Sequence, residues 1–189
     1  MKFTLSASWT WDYHPIGNAE YLALNLVSDE GEKFFFNTCY RKEDLLSLPQ
    51  TGQAFTVEDA LLLTDFQDGL YDINLQDRWC MPLALTALAC ARFVRLPNPS
   101  GGRMYLPYGG REAIYRGQVV SLYAKEGGVG DFIVLDDLPD GDVYRLMLLN
   151  NEWDLGRYVL KQGMMVRVSS SVICPYRSVD ISRRTVRYA

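Results

Sequence analysis

The sequence has few of the residues on which metal sites depend. Its 189 residues include one histidine, and its four cysteines lie far apart, with no Cys-x-x-Cys pair. A structural zinc site needs four such ligands at close spacing, so we expect no metal and no cofactor. The cysteines are typical of reduced, mostly buried thiols.

Signatures of enzymes are also lacking. The phosphate-binding Gly-x-x-x-x-Gly-Lys-Ser/Thr motif and the Gly-x-Ser-x-Gly nucleophile turn are both absent. His14 lies in a predicted loop and has no obvious nucleophile to pair with. Acidic pairs such as Asp136-Asp137 fall at predicted strand ends and turns. The sequence therefore predicts a protein that is not an enzyme.

Long apolar runs are missing as well. No run approaches the roughly 20 residues that span a bilayer, and the N-terminus lacks the apolar core of a signal peptide. We therefore expect a cytoplasmic protein that makes no membrane contact. Apolar residues nevertheless make up 48% of the chain, which is ample for packed cores.

The two halves of the chain share a pattern of glycines and apolar positions. Gly31 and Gly52 align with Gly141 and Gly163, with apolar residues aligned before and between them. In each half this pattern predicts a strand, a hairpin, a short helix (41–48 or 152–162) and two further strands. Gly163 precedes a strand at a position that needs a left-handed backbone.

This order of elements is found in the five-stranded OB-fold barrel, where a helix often joins strands three and four. The predicted fold class is therefore mainly β, with tandem five-stranded OB-like barrels and one buried connecting helix. A single sandwich of nine or ten strands is the alternative, because it has the same alternation and turn spacing.

The connecting helix and the domain boundary follow from composition. Residues 81–94 are rich in helix formers and apolar nearly all round, with Pro82 at a plausible first helical position. Residues 97–110 are rich in proline and glycine and predict a linker. We therefore expect an N-terminal OB-like domain over 1–96 and a C-terminal one over 111–189.

Charge differs between the halves. Residues 1–96 contain seven Lys and Arg against thirteen Asp and Glu, whereas residues 110–189 contain eleven against ten. The basic residues of the second half concentrate in its last strands. We expect the first half to repel a phosphate backbone and the second half to accept one.

An OB barrel binds nucleic acid on strands two and three and on two loops beside them. Aromatic rings stack on bases there, and cations contact the phosphates. The predicted nucleic-acid site consists of Phe35, Arg103, Tyr105, Lys125, Phe132, Tyr144, Arg145, Arg167, Tyr176, Arg177, Arg183, Arg184 and Arg187. A core position is the alternative for Phe132 and Tyr144, and packing on the domains is the alternative for Tyr105. Of the three consecutive phenylalanines 34–36, Phe35 or its two neighbours must face outward or meet a partner.

The C-terminal run of residues 163–189 alternates small, apolar and basic positions, from Gly163-Met-Met-Val-Arg-Val to Arg183-Arg-Thr-Val-Arg-Tyr-Ala. It resembles the closing strands of the single-stranded-DNA-binding proteins of filamentous phages. The resemblance implies an OB-like fold, binding without sequence preference and dimers. This chain departs from that family in being longer, duplicated and acidic.

We therefore expect a non-enzymatic protein that binds single-stranded DNA or RNA through aromatic stacking and contacts from cations to phosphates. The alternative is a protein-binding module, such as an inhibitor or an assembly subunit. It would act through the acidic N-terminal half and the helix 81–94. The sequence alone favours no particular oligomeric state.

Overall fold

The computed structural model describes residues 8–28, 30–95, 104–110, 113–126, 128–136, 142–156 and 158–176. The strands of the first half are β1 (Thr10–Ile16), β2 (Ala19–Val27), β3 (Lys33–Arg41) and β4 (Gln53–Ala54). The helices are α1 (Val57–Asp72) and α2 (Asp77–Phe93). The strands of the second half are β5 (Val119–Tyr123), β6 (Val129–Val134), β7 (Val143–Leu148), β8 (Glu152–Asp154), β9 (Val159–Lys161), β10 (Met165–Ser169) and β11 (Cys174–Pro175).

The strands form two larger antiparallel sheets and a hairpin. The N-terminal sheet has the order β3-β2-β1-β4, the C-terminal sheet has the order β10-β7-β6-β5-β11, and β8 pairs with β9. The prediction of a mainly β protein is confirmed. Within the described ranges no strand pairing closes either sheet into a barrel, so the tandem barrels are not confirmed.

Local sequence explains the N-terminal sheet. Trp9 and Trp11 are fully buried, and the intervening residues of β1 face away from the core, as the period of two predicts. A two-residue turn joins β1 to β2, and Gly17 takes the positive φ of 60° that such a turn requires. These features place β1 in the middle of the sheet, paired with β2 on one side and β4 on the other.

The helix α1 was not expected from the sequence. The repeat alignment assigned residues 52–57 to a strand, but only Gln53–Ala54 pairs with β1 before the helix begins. A capping box starts the helix: the Thr56 hydroxyl accepts from the Asp59 backbone N–H at 3.2 Å, and the Asp59 carboxylate accepts from the Thr56 N–H at 2.9 Å. Thr-x-x-Asp before an apolar run is a recognised start signal for a helix.

The predicted buried helix 81–94 corresponds to α2, whose residues Ala84, Leu88 and Ala89 are fully buried. The helix begins at Asp77, so Pro82 lies inside it and not at its first position. The two predicted short helices are wrong. Residues 41–48 contain only one 3₁₀ turn, and residues 152–162 form the hairpin of β8 and β9.

The helix pair packs against both sheets. Trp11 of β1 meets Phe93 of α2 edge to face, with 4.9 Å between ring centroids. On the other side, Arg145 of β7 donates to the Ala91 carbonyl of α2 at 3.3 Å. The main core therefore contains residues of the N-terminal sheet, both helices and one face of the C-terminal sheet.

A second core covers the opposite face of the C-terminal sheet. Trp153 of β8 and Leu160 of β9 pack there with side chains of the sheet such as Val166. The C-terminal sheet is thus buried on both faces, whereas the N-terminal sheet is buried on one. This difference leaves the outer face of β1, β2 and β3 open to solvent.

Two further predictions concern cysteines and Gly163. The four cysteines form no disulfide, but only Cys80 and Cys90 are buried as predicted, since Cys174 is half-buried and Cys39 is exposed. Gly163 has the predicted left-handed backbone, with φ of 83°, although it follows a hairpin and not a helix. No helix in the described part of the chain is long and apolar enough to cross a membrane.

Candidate functional site

The open face of the N-terminal sheet carries aromatic and apolar side chains. We call it the N-terminal outer face and define it by the outward residues His14, Ile16, Tyr21, Asn25 and Phe35. The core residues of β2 alternate with these positions. Phe35 is 58% exposed and Ile16 is 49% exposed. Two large apolar side chains thus stay in water on the same sheet face.

An aromatic pair lies at the centre of this face. The rings of His14 and Phe35 are 4.5 Å apart between centroids, although they come from β1 and β3. On the intervening β2, Ala23 belongs to the same face by alternation, yet it is fully buried. The neighbouring side chains therefore exclude water from the sheet at this point. His14 is part of a strand and not of the loop that the sequence indicated.

A polar row lies beside the aromatic pair. The Asn25 side-chain amide donates to the Thr10 hydroxyl at 3.1 Å and to the Asp12 carboxylate at 3.3 Å. These two acceptors fix the orientation of the amide, and its carbonyl oxygen is then buried with no hydrogen-bond partner among the described residues. An unsatisfied buried acceptor is costly, so a donor from a bound partner would stabilise this position.

The outer face continues into a groove of about 780 Å³ at one end of the sheet. Its apolar lining includes Ile16, Tyr21 and Leu48. The Leu48 side chain, like that of Ile16, is largely in water, with an exposed fraction of 57%. The groove thus adds apolar area to the same surface.

Charged side chains of both signs border the groove. Lys42 donates to Glu20 at 2.8 Å, and its ammonium lies 4.6 Å from the centroid of the Tyr13 ring. The hydrogen bond to Glu20 raises the pKa of Lys42, while partial burial raises the pKa of the Tyr13 hydroxyl against the opposing effect of Lys42. The border therefore presents fixed charges of both signs, which suits a protein surface better than a phosphate backbone.

The predicted nucleic-acid residues do not form one surface. Phe132 is fully buried and meets Trp153 edge to face at 5.5 Å, and Tyr105 is 1% exposed and stacks on the same Trp153 at 6.0 Å. Tyr144 packs against the second core, and Tyr176 packs against the main core. The alternative of core packing is therefore the one observed for Phe132, Tyr144 and Tyr105.

The predicted cations that the structure describes do not form one surface either. Arg145 donates from Nε to Asp136 at 2.7 Å and is half-buried between sheet and helix. Arg167 lies opposite Arg145 in the register of β10 and β7 and is half-buried as well. Lys125 is exposed at the other end of the sheet, in the turn after β5. Arg103, Arg177, Arg183, Arg184 and Arg187 lie outside the described residues.

Of the predicted residues that the structure describes, Phe35 alone belongs to the N-terminal outer face. Its two neighbours Phe34 and Phe36 pack against the main core, as the argument from alternation allowed. Sequence reasoning missed His14, Ile16 and the groove. The signal was present, because Trp9, Trp11 and Tyr13 face the core at a period of two, which places the alternate positions His14 and Ile16 on the opposite face of β1.

A comparison with known families bears on the first half of the chain. Residues 2–95, just under half of the 189 residues, match the family model of the N-terminal region of the cell-division protein ZapC. No curated protein matches the chain.

This match overturns the expected resemblance to single-stranded-DNA-binding proteins of filamentous phages. The expectation of a DNA-binding, phage-like protein with single-stranded DNA or RNA as its partner is wrong, since the matching family is one of cell division. The physical reason, among the described residues, is that the C-terminal sheet packs against a core on each face, and the predicted aromatic residues Tyr105, Phe132 and Tyr144 belong to one of these cores. The N-terminal half, which contains the whole N-terminal outer face, is instead similar to the N-terminal region of the cell-division protein ZapC.

Proposed function

We propose that the chain is a protein-binding component of the cell-division apparatus and that the N-terminal outer face binds its partner. The observation that carries the proposal is the family match over residues 2–95. This was the alternative that the acidic first half had suggested. The exposed ring of Phe35 and the groove beside it lie within the matched residues and provide a surface for a partner.

The chemistry of the outer face indicates the kind of partner. Phe35 and Ile16 provide apolar anchors, and the buried carbonyl of Asn25 needs a donor. Aromatic anchors at the centre of an interface carry most of the binding energy, and charges at the border select the partner. We therefore expect a folded or extended protein segment with one apolar side chain and a neighbouring N–H donor.

A localisation experiment tests the proposal in living cells. A fluorescent fusion of the chain should concentrate at the division site, and Phe35→Ser should disperse it. The matched control is Tyr115→Ser, because Tyr115 is similarly exposed, at 54%, but lies in the second half. Uniform fluorescence of the unaltered fusion in dividing cells would refute the proposal, and equal dispersal by both variants would refute the assignment of the surface.

We also propose that the chain is not an enzyme and that it works in the cytoplasm. His14 supports the first point, because its ring packs on the ring of Phe35. The free thiols support the second, since disulfides are rare in the cytoplasm. A fusion that cofractionates with cytoplasmic markers after cell breakage is the expected result.

The domain organisation remains a proposal too. We propose two units, residues 1–96 and 111–189, joined by 97–110, and a barrel-like second unit. The second core supports a separate second unit, because its members all lie in the second half, from Met104 to Ile173, but two of them, Met104 and Tyr105, fall within the proposed linker. The C-terminal sheet has the five strands of the predicted barrel, and β11 returns to pair with β5. Limited proteolysis should cut first within 97–110 and give two protected fragments, which should stay associated until denaturant is added because both contribute to the main core.

A further inference from the structure

Strand β3 forms one edge of the N-terminal sheet, because β2 is the one strand that pairs with it among the described residues. The strand has nine residues and no proline, whereas β4 at the opposite edge has two residues. Edges that avoid pairing with other chains are usually short, or carry proline or a bulge. Residues 33–37 of β3 have none of these three protections.

The direction of the backbone groups in β3 follows from the pairing within the sheet. The Trp11 carbonyl accepts from the Gly52 N–H at 2.9 Å, so the backbone of Trp11 points towards β4 and that of Thr10 points towards β2. Thr10 lies opposite Asn25, and Asn25 lies opposite Phe35. Two residues that lie opposite each other in an antiparallel pair point either towards each other or away from each other. Asn25 points towards Thr10, so the backbone N–H and C=O of Phe35 point away from β2.

The same alternation applies to Lys33 and Asn37, which lie two residues before and after Phe35. The described residues provide no hydrogen-bond partner for the outward backbone groups of these three residues. The three positions span about 14 Å of extended chain. Backbone groups in such a row are the template to which an extended peptide adds as a further strand. We call residues 33–37 the open edge of β3.

The open edge ends at a bulge. The register between β2 and β3 shifts at this point. The Thr38 hydroxyl donates to the Leu22 carbonyl at 2.7 Å and accepts from the Tyr40 N–H at 3.2 Å. Beyond the bulge, the Tyr40 hydroxyl donates to the Gly163 carbonyl at 2.7 Å, so the second half of the chain lies against β3 there. The bulge therefore limits the length over which another strand can pair.

The side chains of the open edge indicate the sequence of the added strand. Lys33, Phe35 and Asn37 are exposed, and alternation places them on the same side of the sheet. None of the ion pairs among the described residues involves Lys33. Side chains that lie opposite each other on neighbouring strands are in contact. An apolar residue is therefore complementary to Phe35, and an acidic residue is complementary to Lys33.

We propose that the partner adds an extended segment to the open edge of β3, as a fifth and antiparallel strand of the N-terminal sheet. The segment has an apolar residue opposite Phe35 and, two positions later, an acidic residue opposite Lys33. Its backbone bonds to the outward N–H and C=O groups of Lys33, Phe35 and Asn37. This inference rests on the proposed function, because it concerns the same partner, and it adds the mode of binding.

The test separates the backbone of β3 from its side chains. Asn37→Pro removes an outward N–H and places a ring in the path of the added strand. Proline is tolerated on an edge strand where the N–H faces solvent, so we expect this variant to fold. Asn37→Ala is the matched control, since it loses the same side-chain amide and keeps the N–H. In the fluorescent fusion, Asn37→Pro should lower enrichment at the division site to that of free fluorescent protein, and Asn37→Ala should leave it unchanged.

Far-UV circular dichroism shows whether Asn37→Pro is folded. If it is not, phenyllactic acid at position 35 replaces it in the test, because the ester keeps the ring of Phe35 and removes the outward N–H. Normal enrichment of a folded variant that lacks the outward N–H would overturn strand addition, as would equal dispersal by Asn37→Ala. The proposed function would survive that result if Phe35→Ser still disperses the fusion. Uniform fluorescence of the unaltered fusion would refute both.

The acidic residue of the segment has its own test. Lys33→Glu places a negative charge opposite that residue, whereas Lys33→Gln only removes the positive charge. The enrichment of the fusion should therefore be lower for Lys33→Glu than for Lys33→Gln. Equal enrichment of the two variants would overturn the assignment of an acidic residue to this position.

Discussion

The two sheets of this protein are similar in strand composition and opposite in their surroundings. Both contain apolar alternation and aromatic residues, but the C-terminal sheet is buried on both faces and the N-terminal sheet on one. Phe132 and Phe35 illustrate the contrast, since the first is fully buried and the second is 58% exposed. An aromatic residue on a strand therefore indicates function only where the opposite side of the sheet supplies the core.

The largest expected effect separates these two phenylalanines. Phe132→Ala should lower the free energy of unfolding by about 3–5 kcal/mol, because it removes a ring from a packed core. Phe35→Ala should change it by less than about 0.5 kcal/mol, as for most surface positions. Urea unfolding of both variants measures the difference. A similar loss for Phe35→Ala would contradict the description of the outer face as open.

The contact between α1 and the loop before β5 gives the next effect. A Cβ on Gly69 would clash with the Gly117 carbonyl oxygen, so Gly69→Ala must push the helix away. We expect a loss of about 2 kcal/mol, even though alanine favours a helix by about 1 kcal/mol over glycine. Gly109→Ala is the control, since a Cβ there meets nothing within 4 Å. Equal stability of the two variants would show that the helix and the C-terminal sheet are not in close contact.

Arg145 is expected to contribute to stability, although the sequence suggested a binding role. Its guanidinium bonds to Asp136 and to the carbonyl of Ala91 in α2, with 25% of the side chain exposed. Arg145→Ala should lower the free energy of unfolding by about 1–2 kcal/mol, because the carboxylate loses its charged donor. The exposed Lys125→Ala should change it by less than about 0.5 kcal/mol. Thermal unfolding of both variants measures the difference. A lower midpoint for Arg145→Ala would show that Arg145 stabilises the fold, and identical midpoints would exclude that role.

Local patterns predicted much of the strand content and little of the layer arrangement. The alternation in β2 and β3, the buried helix at 81–94 and the left-handed Gly163 were all readable from nearby residues. The burial of the second face of the C-terminal sheet could not be predicted, because it depends on Trp153 and Tyr105, which are distant in the sequence. The repeat alignment also assigned a strand where the capping box of Thr56 and Asp59 starts a helix. Apolar spacing shows that a residue is buried but not against which element.

Stability at high pH tests whether the helix layer excludes water from the buried thiol of Cys90. Burial raises the pKa of the Cys90 thiol of α2 to about 12. The folded protein then keeps a proton that the unfolded chain loses above an ordinary thiol pKa of about 8.5. The stability contributed by this group is complete below that pH and is lost as the pH rises towards 12.

The free energy of unfolding should therefore fall with rising pH in this window, with up to about 1.4 kcal/mol per pH unit from Cys90. Cys90→Ala should reduce the slope, whatever its effect on stability at neutral pH. Urea unfolding at several pH values provides the slopes. An unchanged slope would show that Cys90 is accessible to water in the folded protein.

The N-terminal outer face is the surface that we propose binds a cell-division protein. The most direct measurement introduces the photo-crosslinking residue p-benzoylphenylalanine at Phe35, and separately at Tyr115, in dividing cells. Mass spectrometry then identifies the protein joined to each position. We expect a cell-division protein to be joined at position 35 and to be absent at position 115. Capture of the same proteins at both positions, or of none at Phe35, would contradict it.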